Sequence, residues 1–385
     1  MPEFYTEYCA LISSSEQLEQ CKRAHSLQNL LAIIKNLWHC PERSDNQLLG
    51  DIAQLNQFPI TENQAQFAKN WLPYRYRPGQ QRVYWLLPFD HATEPFQDET
   101  ISRYRQQLIN QIIQPCSTLA VAQQQAIALA DAQPAGFIFH LSRCGSTLIS
   151  GCLSELDSTC VFSESPLLTE LLLDKNLSVN EQKNLLRAFI NLQAAVFPNR
   201  PQVIIKWNAW DIFCWDLIRA IYPQVPVVFV VRNPVEILAS HQKLAGRHMA
   251  GEPGLAQFNS VFSRATNHLS LLQYRTDVLR SLQQKMHSIQ TQNSILCMDY
   301  SQLKYSGINT IFRYFDLTLT GEEQTAVMQR LGIHSKTPGV LFKQDSLSKQ
   351  SIFSAADKHY IEQQLFVTYE LLREAATCLA EPEGY

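Results

Sequence analysis

Ser142-Arg143-Cys144-Gly145-Ser146-Thr147 is the segment of this chain best suited to chemistry. An apolar run of strand length, Gly136 to Leu141, precedes it, and Leu148, Ile149, Cys152 and Leu153 follow at helical spacing. The pattern predicts a strand, a tight loop and the start of a helix. Such a loop presents unpaired backbone N–H groups and the positive end of a helix dipole to an anion. Gly145 lets the main chain come close, and Arg143 can add a charged hydrogen bond. The segment reads as a cradle for a phosphate or sulfate group. The plainer reading is a buried strand meeting a helix capped by Ser146 or Thr147. Spacing excludes a Walker A loop, because position 140 is His and Arg143 precedes the glycine where that motif has Lys after it. A cysteine phosphatase loop is excluded as well, because Ser150 stands where its arginine belongs. A lowered Cys144 pKa at a helix start is open, but nothing requires that thiol to react.

The elements that would position this loop alternate between strand and helix. Apolar runs at Gly136–Leu141, Thr159–Phe162, Val203–Trp207, Pro226–Val231 and Ser294–Met298 are separated by helical stretches at 181–197, 212–221, 234–244 and 261–290. This alternation predicts a parallel sheet flanked by helices, in which ligands bind at the carboxyl ends of the strands. The Val203 run ends at Lys206-Trp207-Asn208 and the Val227 run at Arg232-Asn233-Pro234. Asn233 is a good N-cap and Pro234 a good first helical residue. Two of these ends therefore carry cations where a magnesium-dependent P-loop enzyme carries an acidic residue, which favours an anionic ligand held without a metal. Asp299, after the last run, keeps an ATP/magnesium-dependent small-molecule kinase open, with Thr147 and Asp299 on the metal.

Residues 1–130 read as a mostly helical region of unknown role, with helices over 27–38, 101–113 and 119–132 and one strand over 82–87. Trp71, Tyr74, Tyr76, Tyr84 and Trp85 fit core filling better than a ligand site. The remaining residues, 131–385, read as one α/β domain. The net charge is −3 and the isoelectric point about 6.4, so charge gives no support to a nucleic-acid or membrane-surface role. No apolar run reaches membrane-spanning length, and Met1-Pro-Glu-Phe-Tyr lacks the features of a signal peptide. The ten cysteines show neither a C-x-x-C pair nor zinc spacing. A cytoplasmic protein with reduced cysteines and no bound metal is the expectation.

Over about residues 131–345 the chain resembles the sulfotransferases that use 3′-phosphoadenosine 5′-phosphosulfate (PAPS). Arg143-Cys-Gly-Ser-Thr147 resembles the family's first motif, a K/R-S-G-T/S-T loop after a strand. Arg232 through Ser240 resembles the second, an arginine after a strand with a helical serine eight residues on. The resemblance implies a three-layer P-loop-like α/β fold with a helical N-terminal extension. It implies that Arg143, Cys144, Gly145, Ser146 and Thr147 cradle the 5′-phosphosulfate, and that Arg232 and Ser240 bind the 3′-phosphate. The sulfuryl group would pass to an acceptor hydroxyl or amine on a small molecule, peptide or glycan. Where small-molecule members carry Lys-x-His, this chain has Lys206-Trp207-Asn208, and Asn208 cannot take a proton. Lys206 would stabilise charge on the leaving phosphate. Protein-tyrosine sulfotransferase-like members use a glutamate base, and Glu164 stands in the corresponding place; an exposed or helix-capping carboxylate is the equal alternative. His140, His241 and His248 are further candidates for the base. Lys336, with Lys343, is a candidate for a basic loop over the donor. A protein that binds PAP, the desulfated donor, without turnover also fits the missing histidine.

Overall fold

The computed structural model describes all residues except 62–65, 267–269, 334–348, 350 and 379–385, so Lys336 and Lys343 lie outside the described residues. The chain divides into two compact units, one of Met1–Ala132 with Ser165–Pro201 and one of Gln133–Glu164 with Gln202–Tyr385. One division between the units falls between Ala132 and Gln133. The stretch 165–201, however, groups with the first unit, not with the α/β unit expected to hold it.

The first unit carries a small antiparallel sheet, β1 (Leu72–Arg77), β2 (Arg82–Leu86) and β3 (Cys116–Thr118), among helices. Only β2 is legible as an apolar run. The helix expected over 101–113 is two helices, Gln97–Tyr104 and Leu108–Ile112. Asn110 accounts for the break: its amide donates to the Tyr104 and Leu87 carbonyls, and its oxygen accepts from the Leu87 N–H. Trp71, Tyr76 and Trp85 are at most 1% exposed, so these aromatics fill core, as expected.

The second unit is a five-stranded parallel sheet in the order β5-β6-β4-β7-β8, formed by β4 (Gly136–His140), β5 (Thr159–Ser163), β6 (Gln202–Lys206), β7 (Val227–Val231) and β8 (Leu296–Asp299). Every residue of β4, β5, β7 and β8 is buried, which is why these strands read as unbroken apolar runs. Successive side chains point to opposite faces. Ile138, Ile204, Val228 and Val230 pack with Ile149 and Leu153 of the helix Ser146–Ser154 and with Ile308 and Phe312 of Tyr305–Tyr314. On the other face Phe137 and Phe139 meet Trp207, Tyr222, Trp215 and Phe229 edge-on or stacked, at centroid distances of 5.6 to 6.2 Å. The architecture is three-layered α/β, as the alternating pattern predicts.

Two expected helices are shorter than the periodicity suggested. A 3-10 turn, Ala209–Cys214, precedes Trp215–Ile221, because Asn208 and Asp211 form a reciprocal cap that tightens the chain there. Likewise 3-10 geometry over Ser260–Thr266 precedes Leu271–Gln290, which starts at its own capping box on Ser270 and Gln273. The glycine-containing stretch after Lys243 holds a short helix, Arg247–Ala250.

Gly136 begins β4 because a Cβ there would lie 2.5 Å from the ring of Phe315, itself 3% exposed. Gly136→Ala is expected to destabilise the protein by roughly 1 to 3 kcal/mol through overpacking, measured by urea denaturation.

Candidate active site

β4 lies at the centre of its sheet; the chain leaves it for β5 and β6 on one side and crosses from β6 to β7 on the other. This is the topological position at which open α/β sheets bind ligands. The chain leaving β4 turns through Ser142 (φ 64°), Arg143 (φ 51°) and Gly145 (φ 92°), all left-handed. Such conformations cost a non-glycine residue about 1 to 3 kcal/mol and concentrate at functional sites. At Gly145 a Cβ would also come within 2.5 Å of Leu303 and 2.8 Å of Tyr300. Gly145 is the N-cap of the Ser146–Ser154 helix, and no side chain caps that terminus. The reading in which Ser146 or Thr147 caps the helix therefore fails, and the first-turn N–H groups keep their anion-binding capacity. Cys144 is fully buried, and burial pushes its thiol up to about 12, so it is no nucleophile.

On the β6 side stands a buried charge cluster. Lys206 has no exposed side-chain surface, and its Nζ lies 3.1 Å from Glu164 Oε1 and 3.4 Å from Thr147 Oγ1. Glu164 follows β5: its N–H makes a final 2.7 Å ladder bond to the Lys206 carbonyl, and then a left-handed turn (φ 55°) ends the strand. Its side chain turns to Lys206 instead of capping a helix, and it is 23% exposed. His140 Nδ1 accepts from the Ser142 N–H at 3.0 Å, so a neutral ring carries its proton on Nε2, 3.4 Å from Glu164. Burial opposes ionisation of Glu164, but Lys206 and the His140 hydrogen bond outweigh it and hold the carboxyl well below its ordinary range.

On the β7 side stands Arg232, 4% exposed. It pairs with Glu236 (Nε to Oε2, 2.7 Å), lies 3.9 Å over the Tyr300 ring and donates from Nη1 to the Arg143 carbonyl at 3.2 Å. This is a buried pair tied to the loop, not the surface ion pair that isolated arginines usually make. Asn233 caps the following helix as expected, accepting from Val235 N–H. A cavity of about 400 Å³ opens here, lined among others by Gly145, Arg232, Tyr300, Leu303, Lys304 and Arg373. Ser240 lies two turns further along the helix Pro234–Lys243, half-buried and outside that lining. Arg143 itself donates to the Leu244 carbonyl at 2.7 Å.

Asp299 accepts from Ser301 N–H and Oγ on one oxygen and from Tyr369 on the other. A carboxylate occupied in this way is poorly placed to ligate magnesium, which weakens the kinase alternative. Asn208 and Asp211, by contrast, are bound to each other, and Asp211 is pushed up to about 7, first by burial and then by the nearby Glu164 charge. Asp211 escaped the sequence reading; its capping distance from Asn208 was the available signal. His248 packs on Trp210 and His241 and is 2% exposed. Neither of its ring nitrogens has a hydrogen-bond partner among the described residues, and burial holds it neutral, its pKa down at about 3. His241 Nδ1 accepts from the Gly246 N–H, which marks it as structural.

No protein-family model matches this chain, and no curated protein does. Among solved structures it is similar to the sulfotransferase STF1 of Mycobacterium tuberculosis H37Rv, with 13% identity, a TM-score of 0.35 and coverage of 64% of this chain and 82% of that one. It is also similar to the sulfotransferase STF9 of Mycobacterium avium, with 10% identity, a TM-score of 0.41 and coverage of 84% and 96%. Both likenesses are slight, and the site is read from its own residues. Among the described residues no helix is long and apolar enough to cross a membrane, and no His, Cys, Asp and Glu side chains group as a metal site.

Glu164→Gln removes the carboxylate facing a fully buried ammonium, which is expected to cost roughly 3 kcal/mol, the low end for breaking a buried pair because Glu164 is partly exposed. Lys206→Met leaves a carboxylate that water can still reach and is expected to cost less. The folded pKa of Glu164 lies below its ordinary 4.5, so its contribution is complete above that pH and is lost as pH falls further. Denaturation curves of wild type and Glu164→Gln should therefore differ most at neutral pH and converge in acid.

Proposed function

We propose that this protein is a PAPS-dependent sulfotransferase. One observation carries the reading: two buried cations, Lys206 and Arg232, flank a helix-start anion loop on opposite sides, each bonded to it. A ligand with two separated anionic groups needs two such donors, and PAPS has a 5′-phosphosulfate and a 3′-phosphate. The 5′ group would sit on the N–H groups of Cys144 to Thr147, with Lys206 beside it. The 3′-phosphate would be met by Arg232, held at its position by Glu236 and Tyr300, with the nucleoside in the 400 Å³ cavity alongside. Ser240 remains a proposed donor ligand on motif position alone, Lys336 on the basic loop that the family resemblance implies, and Arg143 on its place in the loop.

The acceptor, a hydroxyl or amine on a small molecule, peptide or glycan, would attack sulfur in line with the departing phosphate oxygen. Lys206 would stabilise the charge that develops on that oxygen. Glu164, across from Lys206 and beside His140, would take the acceptor's proton. Neither step requires a metal ligand from this chain.

Calorimetry with PAP, AMP and magnesium ATP tests the donor. PAP is expected to bind in the micromolar range, with AMP and magnesium ATP far weaker. Arg232→Ala should weaken PAP by at least about thirtyfold, ~2 kcal/mol, while leaving AMP nearly unchanged. Preference for magnesium ATP, or PAP affinity indifferent to Arg232, contradicts the proposal.

A further inference from the structure

Lys206 stands between two anion-binding demands. Its ammonium reaches Glu164 at 3.1 Å and the first turn of the Ser146–Ser154 helix, through Thr147 Oγ1, at 3.4 Å. An ammonium is a point charge on a flexible stem with three donors, and it can shift between neighbouring acceptors without a backbone change. In the free protein the carboxylate is the nearest anion to it. A phosphate at the helix N-terminus would compete for the same buried charge from the other side. While Lys206 serves Glu164, that carboxylate is a weak base; a useful base needs affinity for a proton near the working pH.

We propose that donor binding draws the Lys206 ammonium from Glu164 to the 5′-phosphosulfate, and that this transfer is what turns Glu164 into a proton acceptor. The inference rests on the PAPS reading of the loop and assigns Lys206 a second task, positioning charge as well as stabilising the leaving group. Before the donor arrives Glu164 is held ionised and inert; afterwards burial and the new phosphate charge both raise its proton affinity. The chemical step then balances. The acceptor's O–H proton passes to Glu164, the acceptor oxygen bonds to sulfur, and the sulfur–oxygen bond to the 5′-phosphate breaks with its electron pair kept on the phosphate oxygen beside Lys206. The arrangement also withholds a competent base from the empty site.

The charged and titratable groups facing Glu164 among the described residues come from several elements. Lys206 ends β6 and His140 ends β4; Arg143 belongs to the loop, Asp211 to the 3-10 turn after Asn208, and His248 to the short helix Arg247–Ala250. Of these Asp211 is pushed up to about 7 and so titrates close to neutrality. It is the control that any proton count requires.

The test is the number of protons taken up when PAP binds, measured calorimetrically at pH 6 in buffers of different ionisation heat. Wild-type protein is expected to take up clearly more than Glu164→Gln, by roughly 0.3 proton or more per PAP. Lys206→Met, compared with the double variant Lys206→Met/Glu164→Gln, should show a smaller increment, because its Glu164 is not held down beforehand and only the phosphate charge raises it, and this pair provides the reading independently of how well the single Glu164→Gln variant folds. Asp211→Asn should keep the wild-type increment. PAP's own phosphates meet the same residue at position 206 within each comparison and cancel in the differences. PAP binding with equal uptake in wild type and Glu164→Gln, or an increment lost in Asp211→Asn instead, overturns the transfer while leaving the donor reading intact. Failure of PAP to bind wild type removes the donor reading and this inference with it.

Discussion

A fully buried ammonium at the end of a central strand constrains everything around it. Lys206 has no solvent contact, and an unpaired charge in that position would cost several kcal/mol. The chain meets this demand from two neighbouring elements, Glu164 at the end of β5 and Thr147 in the first turn after β4. The pairing fixes the left-handed exit of Glu164, the height of the helix start and the side of the loop that faces β6. His140, the last residue of β4, completes the arrangement by accepting the Ser142 N–H and pointing its other nitrogen at the same carboxylate. The geometry of the anion loop and the ionisation of its neighbouring carboxylate are thus consequences of one charge.

The β7 side repeats the solution with a different cation. Arg232 is buried, but its guanidinium divides its donors between Glu236 and the Arg143 carbonyl while its face covers Tyr300. A planar fork suits a fixed phosphate; a mobile ammonium suits a group whose charge changes during reaction. The distribution of arginine to one side and lysine to the other suits the proposed donor, with one spectator phosphate and one reacting centre. Asp299, at the end of β8, serves as a structural cap, bound by Ser301 and Tyr369.

Much of this was legible in the residues. The five strands of the parallel sheet are buried on both faces, so their apolar runs stood out without any periodicity, and the cations at the ends of β6 and β7 followed from them. Helix limits were less legible where side chains overrode the pattern, as Asn110 does between Tyr104 and Leu108 and the Asn208–Asp211 cap does before Trp215. The pairing of Glu164 with Lys206 was hidden because it depends on β5 and β6 being neighbours, and strand order is not written in local sequence. The return of Ser165–Pro201 to the first unit was hidden for the same reason. His248 was visible only as one of several histidines; its burial without a hydrogen-bond partner is a property of the packed Trp210 and His241 rings, not of its neighbours in the chain.

The most direct measurement of the central claim is a crystal structure of the protein with PAP bound. The account places the 5′-phosphate within hydrogen-bonding distance of the main-chain N–H groups of residues 144–147 and of Lys206 Nζ, and the 3′-phosphate on Arg232. PAP lying elsewhere, or with its 3′-phosphate away from Arg232, would contradict it.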